Sequence, residues 1–311
     1  MKNKEKILII GSGSIALKHY DILKKNYIIF FLTNNENLKK KINISRIYND
    51  WNKAKKNSYL FAIIANNTDK HIRTLNNCLK ENINVYCEKP ISHRKFNYKS
   101  LRKKIFKKKT LFFCGYHLRQ NQKIKYLKKK IQNNTITFQL KVGHDILKWR
   151  NHKPRKNSYY IDTKKGGGCL NELIHEINLI QFLFGKIEKI QTFNKRTKRF
   201  NFKCEEFSTS IIRTQKKQIG TLYQDIFSPV FFRNLTILCK GKLFEYDFVQ
   251  DKLKMNDKEI KFQNKNLQID LIKNNLDFFI KLIKKRRFTL QYFDESVQDM
   301  LIVQKMYDKK I

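Results

Sequence analysis

The sequence predicts an α/β protein: a doubly wound parallel sheet at the N-terminus, then an α+β domain with a largely antiparallel open sheet. Three observations carry this. Short apolar runs alternate with helical stretches from residue 6 to about 118, the pattern of parallel βαβ units. Beyond that, strand-like runs follow one another without intervening helices, as antiparallel strands do. The chain has 311 residues, 41% of them hydrophobic and 13% aromatic, enough for packed cores in one large or two ordinary domains.

"KILII" (6–10) is short and fully apolar, so it reads as a buried strand. "GSGSIA" breaks it, and "LKHYDILKK" has helical spacing. "YIIFFLT" (27–33), "YLFAIIA" (59–65), "NVYCEKP" (84–90) and "TLFFCGY" (110–116) are the further strands, with helices expected over 68–81 and before residue 110. The first domain is expected over 1–118 and the second over 119–311. In the second, a helix around 121–132 precedes "TITFQLKVG" (135–143), which alternates. A polar loop, "WRNHKPRKNSYY" (149–160), leads to "GGGCLNELIHE" (166–176) and one helix over about 170–183. Strands follow at 187–193, 206–214, 218–227, 232–240 and 242–248, then helices over 266–284 and 293–308. No internal repeat is visible.

The formal charge is +41, from 67 basic and 26 acidic residues, so nucleic acid is the first partner to test. The lysines run from Lys2 to Lys310, and clusters such as "RKKIFKKK" (102–109) and "KYLKKK" (125–130) alternate with apolar residues as solvated helix faces do. With asparagine and isoleucine also abundant, the charge reads as compositional bias, and no nucleic-acid partner is expected. The six cysteines form no Cys-x-x-Cys pair, which fits a reducing compartment. The N-terminal apolar run is too short for a signal peptide. No stretch reaches the roughly 18 apolar residues of a membrane span. A cytoplasmic protein is expected.

Gly11, Gly13 and Ala16 fill the G-x-G-x-x-A form of the dinucleotide (Rossmann) fingerprint. The first glycine permits the tight turn, the second lets backbone approach a diphosphate, and the small third residue permits close helix–strand packing. Ser12, Ser14 and Ile15 complete the turn, and the diphosphate is expected on its amides at the helix N-terminus. An acid at the end of the second strand would bind a ribose 2′-hydroxyl. That position carries Thr33, Asn34 and Asn35 instead, with Lys39 and Lys40 soon after and Glu36 close by. The cofactor is therefore NAD or NADP, with a tilt to NADP.

Glu172 and His175 stand three apart, which places them on one face of a helix. Glu-x-x-His donates metal ligands in carboxylate bundles, and it also suits an acid/base pair. A metal site normally needs three or four protein ligands. There is no second Glu-x-x-His, and nothing in the spacing of His144, Asp145 and His152 recruits them. No metal is expected.

"CEKP" (87–90), "AIIANNTDKH" (62–71) and "GGGCLNELIHEIN" (166–178) follow "GSGSIALKH" in an order that resembles the glucose–fructose oxidoreductase/inositol dehydrogenase (Gfo/Idh/MocA) family. The likeness runs from the first strand to at least Gly185. The Glu172–His175 spacing, "GYHLR" (115–119), "KWR" (148–150) and "LIHEIN" (173–178) resemble a branch associated with bacterial surface-polysaccharide and nonulosonic-acid gene clusters. Two positions depart from the family pattern: Asn67 replaces a proline and Asn178 an aspartate.

The resemblance implies hydride transfer between a nicotinamide and a hydroxyl or keto carbon of a sugar or nucleotide-linked sugar, in surface-glycan biosynthesis. It assigns proton transfer to Lys89 and His175, with Glu172 in support. Gly11, Ser12, Gly13, Ser14, Ile15, Thr33, Asn34, Asn66, Asn67, His71, Glu88 and Lys89 are expected at the cofactor. Tyr116, Arg119, Arg150 and Tyr159 are expected at the substrate. The open sheet of the second domain is expected to pair subunits into a homodimer or homotetramer. The chemistry of the side chains agrees. A lysine beside a cationic nicotinamide exchanges a proton near neutrality, Pro90 fixes the backbone next to it, and histidine titrates near 6.5. A guanidinium grips a carboxylate or phosphate with two parallel hydrogen bonds. The alternatives are a non-catalytic cofactor-binding regulator, or a basic nucleic-acid-binding protein on the same fold.

Overall fold

The computed structural model describes residues 4–39, 42, 46–131, 134–150, 158–197, 202–263 and 267–307. The side chains of Lys39 and Arg150, and all of Lys40 and His152, lie outside the described residues. By contacts the chain divides into two units. The first comprises Met1–Ser92, Phe96–His117 and Gln268–Val297, and the second His93–Lys95, Leu118–Leu267 and Gln298–Ile311.

In the first unit the elements run β1 (Lys6–Ile10), α1 (Ser14–Leu23), β2 (Ile28–Leu32), α2 (Glu36–Lys39), β3 (Ile47–Tyr48), α3 (Trp51–Ala54), β4 (Phe61–Ile64), α4 (His71–Lys80), β5 (Val85–Cys87), α5 (Tyr98–Lys108) and β6 (Phe112–Cys114). The six strands form one sheet in the order β3-β2-β1-β4-β5-β6, with every pair parallel. Strand order reverses between β1 and β4, and in open α/β sheets ligands bind outside the carboxyl ends of strands at that point. The strands read as apolar runs because helices cover both faces: all four residues of β4 are buried. α4 buries His71, Thr74, Leu75, Cys78 and Leu79, the spacing of one helical face.

The sheet's core is completed from far along the chain. α10 (Gln268–Lys284) places Leu276, Phe279 and Ile280 among Ile7, Ile9, Phe61, Ile63, Tyr86 and Phe113. Phe279 sets its ring edge-on to Phe61 (5.2 Å) and Tyr86 (5.7 Å), a favoured arrangement of aromatic quadrupoles. The sequence alone put Gln268–Val297 with the second domain, because nothing in an amphipathic helix says which sheet it will cover.

The second unit contains α6 (Gln122–Ile131), β7 (Thr135–Gly143), α7 (Ile146–Arg150), α8 (Cys169–Glu172), α9 (His175–Phe184), β8 (Ile187–Lys195), β9 (Phe207–Thr214), β10 (Ile219–Asp225), β11 (Phe232–Cys239), β12 (Lys242–Asp247), β13 (Lys252–Met255) and β14 (Lys258–Glu259). α11 (Gln291–Tyr307) begins in the first unit's residues and ends in the second's. The eight strands follow the order β14-β13-β12-β11-β7-β10-β9-β8. β7 and β10 are parallel, and the other neighbours are antiparallel.

Alternation sorts the two faces of this sheet. Phe138, Leu140, Ile212, Leu222, Leu235 and Ile237 are buried, and Phe138 stacks on Phe184 of α9 at 4.1 Å. On the opposite face Ile211 and Ile219 are each 55% exposed.

The single helix expected over 170–183 is broken. α8 ends at Glu172, and Leu173 leaves helical geometry at φ −106°, ψ 31°. The buried Gln224 side chain donates to the Leu173 carbonyl at 2.7 Å, an acceptor that an unbroken helix would offer to its own backbone. Glu172 and His175 therefore flank a two-residue turn instead of sharing a helical face.

Candidate active site

The β1–α1 turn sits at the strand-order reversal. Gly11 has φ +116°, and a Cβ there would stand 2.5 Å from the Ala65 carbonyl oxygen and 2.8 Å from the Asn66 nitrogen, so only glycine fits. Gly13 caps α1 with φ −71°, and nothing lies within 4 Å of where its Cβ would be. Gly13 and Ser14 are exposed. The first amides of α1 thus border open space, which is the anion-receiving arrangement of a helix N-terminus. Ile15 packs on the core and Ala16 is fully buried, so the turn is anchored from behind.

At the end of β2, Thr33 Oγ1 and Asn35 Nδ2 each donate to Ser12 Oγ at 3.1 Å, tying the two loops together. Asn34 is exposed beside them. No acid is within this cluster, and Glu36 opens α2 on the surface.

Past β4, Asn66 donates from Nδ2 to Thr74 Oγ1 at 2.9 Å, and exposed Asn67 precedes a 3-10 turn over Thr68–Lys70. His71 was expected at the cofactor, but it is 1% exposed. Its Nδ1 faces the Pro90 carbonyl (2.8 Å) and its Nε2 the Asn66 carbonyl (3.0 Å). Burial holds its pKa below the ordinary histidine value, against the pull of those carbonyls. His71 therefore braces the loops after β4 and β5 from within, since both ring nitrogens are taken by main chain.

The segment after β5 carries Glu88, Lys89 and Pro90, with a cis Lys89–Pro90 bond. Buried His19 of α1 donates from Nε2 to Glu88 Oε1 at 2.7 Å. Burial pushes the Glu88 carboxyl up, but the His19 hydrogen bond and the positive potential of His19, His117 and Lys89 outweigh it and hold it below the usual range. Glu88 is thus an ionised, immobile anchor, and half-buried Lys89 follows it directly. Tyr116, two residues past β6, is 5% exposed.

In the second unit two of the three glycines before α8 make room for protein. A Cβ on Gly167 would collide with the Tyr159–Tyr160 backbone, and one on Gly168 (φ +98°) with the Glu205 carboxylate. The space beside Gly167 and Gly168 is thus filled by these groups. Glu205 receives the Leu170 N–H (3.1 Å), the Tyr307 hydroxyl (2.8 Å) and the Thr163 hydroxyl (3.3 Å). Its carboxyl is seated at the first amides of α8, and burial raises its pKa against those donors. Glu172 and His175 are both buried, at 5% and 7% exposure. Beside His175, Glu176 is fully buried and its Oε1 lies 2.9 Å from Arg233 Nε of β11.

Arg119 donates from Nε to Asn178 Oδ1 at 2.6 Å, and its guanidinium lies 5.1 Å from the Phe182 ring centroid. Asn178 passes the contact on, donating from Nδ2 to Asp299 Oδ2 at 2.6 Å. Arg150 closes α7, with its side chain outside the described residues. Half-buried Tyr159 opens a 3-10 turn with its ring against Tyr160. Among the described residues no group of three His, Cys, Asp or Glu is arranged to hold a metal. Sequence reasoning missed His19, Glu205, Arg233 and Asp299.

Residues 124–241 match the family model described as the GFO/IDH/MocA C-terminal domain. That match, over somewhat more than a third of the chain, is to the C-terminal domain of the family. Myo-inositol 2-dehydrogenase of Thermotoga maritima is 22% identical over 189 residues, covering 58% of this chain and 55% of that protein. The match thus spans about half the length of this curated relative. A Desulfitobacterium hafniense protein described as an NADPH-dependent oxidoreductase superimposes with TM-score 0.85 at 16% identity, over 99% of this chain and 97% of that one. The WlbA dehydrogenase of Chromobacterium violaceum, solved with NADH and UDP-GlcNAcA, superimposes with TM-score 0.81 at 17% identity, over 99% and 94%. At these identities the likeness establishes the GFO/IDH/MocA fold. No helix among the described residues is long and apolar enough to cross a membrane.

Proposed function

We propose that the protein is an NAD(P)-dependent oxidoreductase that moves a hydride between a nicotinamide and a hydroxyl or keto carbon of a sugar or nucleotide-linked sugar, in surface-glycan biosynthesis. The observation that carries this reading is the β1–α1 turn at the strand-order reversal. Gly11 is irreplaceable there, and Gly13 leaves open space before the first amides of α1. Gly11–Ile15 would hold the diphosphate, and the Thr33–Asn35 loop, tied to Ser12, would border the adenosine ribose. The missing acid at that loop favours NADP(H) over NAD(H). The NADH- and sugar-nucleotide-bound WlbA neighbour and the inositol dehydrogenase relative agree with the reaction class.

A bound nicotinamide supplies the hydride acceptor or donor. The proton is the protein's part. Lys89 Nζ exchanges the proton of the reacting hydroxyl, and ionised Glu88, fixed by His19, gives the backbone at Lys89 a rigid base. His175 is the second proton-transfer residue, with Glu172 in support. Arg150 and Tyr159 are assigned to the substrate. Arg119 has its Nε on Asn178, so we give it a supporting role for α9.

Calorimetric titration with NAD(H) and NADP(H) tests the cofactor assignment: binding of either supports it, and binding of neither removes it. Lys89→Ala should lose turnover by about 10²-fold or more, as general acid–base groups do, while keeping cofactor affinity. Near-normal turnover removes Lys89 from the chemistry.

A further inference from the structure

On the second unit alone lies a row of aromatic rings partly exposed to solvent. Phe231 is 40% exposed and Trp149 37%. His144, which follows β7, lies between them, its ring 4.7 Å from Phe231 and 5.6 Å from Trp149, tilted 45° and 43°. The row is tied to the candidate site by a series of contacts. Phe231 lies 5.9 Å from the Arg233 guanidinium, Arg233 holds Glu176, and Glu176 follows His175.

Among the described residues the charge around the rings is one-sided. Each neighbouring acid is buried and engaged. Asp145 Oδ1 accepts the Leu147 N–H, Asp225 Oδ1 accepts the Phe227 and Ser228 N–H groups, and Glu176 faces Arg233. The exposed charge is cationic: Lys148 on α7, whose ammonium donates to the Pro229 carbonyl at 2.8 Å. Lys148 and Pro229 thereby hold Trp149's helix against the loop that carries Phe231. Rigid, half-exposed rings beside a cation suit a ligand with a flat π face and a negative charge. A free sugar has neither.

We propose that His144, Trp149 and Phe231 form a stacking platform for the base of a nucleoside diphosphate, so that the substrate is a nucleotide-linked sugar. This rests on the reaction proposed above and narrows its substrate class. The base stacks on the rings, Lys148 faces the diphosphate, and the sugar is directed toward His175. No covalent step is involved.

The chain has two tryptophans, so Trp51→Phe leaves Trp149 as the single emitter. With NAD⁺ or NADP⁺ saturating, UDP should quench that emission to saturation. Phe231→Leu, which keeps apolar packing without the π face, should weaken UDP binding about tenfold, within the range of one base–aromatic stack. His144→Leu should act in the same direction, and calorimetry with Trp149→Leu checks the third ring. Unchanged emission, or full UDP affinity in both Phe231→Leu and His144→Leu, overturns the platform. So does emission that shifts with protein concentration and not with UDP, because the rings would then face a second copy. If neither cofactor binds, the proposed reaction falls. The UDP titration without cofactor still decides the platform.

Discussion

Gly11 and Gly13 fill equivalent-looking places in the sequence, yet they meet different physical demands. Gly11 is needed by the fold, because its φ of +116° and the Ala65 carbonyl leave no room for a side chain. Gly13 has ordinary φ and open space, so its lack of a side chain matters only if something else comes close. Gly11→Ala should lower stability by roughly 1–3 kcal/mol or more. Gly13→Ala should stay within about 1 kcal/mol of wild type while losing cofactor affinity. Thermal unfolding together with cofactor titration of the two variants separates the roles. A Gly13→Ala protein that binds cofactor normally would move the diphosphate away from this turn. Asn178 gives a similar lesson. In place of the aspartate of the resembled pattern, this chain has an amide that accepts from Arg119 and donates to Asp299.

The broken helix α8–α9 depends on Glu205, which supplies a carboxyl to the first amides of α8 and fills the space beside Gly168. Burial raises its carboxyl, so the native state holds that proton more tightly than the unfolded chain, where glutamate titrates near 4.3. Its contribution is full below the unfolded value and is lost as pH rises through the folded one. Glu205→Gln keeps an acceptor for Leu170 and Tyr307 without the charge. It should raise the urea midpoint at pH 7, with the gain shrinking as pH falls through the raised folded pKa and gone below about 4. A gain that does not depend on pH would assign the effect to packing. The β1–α1 turn and the strands of the parallel sheet were legible because each is specified locally, by apolar runs and glycine spacing. The break at Leu173 was not, because it depends on Gln224, some fifty residues away. β13 escaped for a different reason: "KLKM" buries only Leu253, too little alternation to distinguish a strand from a loop. His71 was legible as important and misread in role, since a histidine near a strand end looks the same whether it faces ligand or two carbonyls.

The open face of the eight-stranded sheet presents Phe193, Ile211, Ile219 and Leu238 to solvent, each at least 40% exposed. An exposed apolar sheet face is usual where copies of a chain meet. We expect a homodimer or homotetramer built on this face. Ile211→Lys with Ile219→Lys should lower the mass measured by light scattering while leaving cofactor affinity unchanged, and an oligomer that survives both changes would place the interface elsewhere. The return of α10 to the first unit has a consequence for biosynthesis. The sheet that would grip the cofactor is emitted from the ribosome before the residues that seal its core, Leu276, Phe279 and Ile280, which come only after Leu118–Leu267 of the second unit. At ~5–20 residues per second, Phe61, Tyr86 and Phe113 wait many seconds for their cover. During that interval the nascent chain presents an uncovered aromatic surface, so this sheet should depend on chaperones until α10 is made.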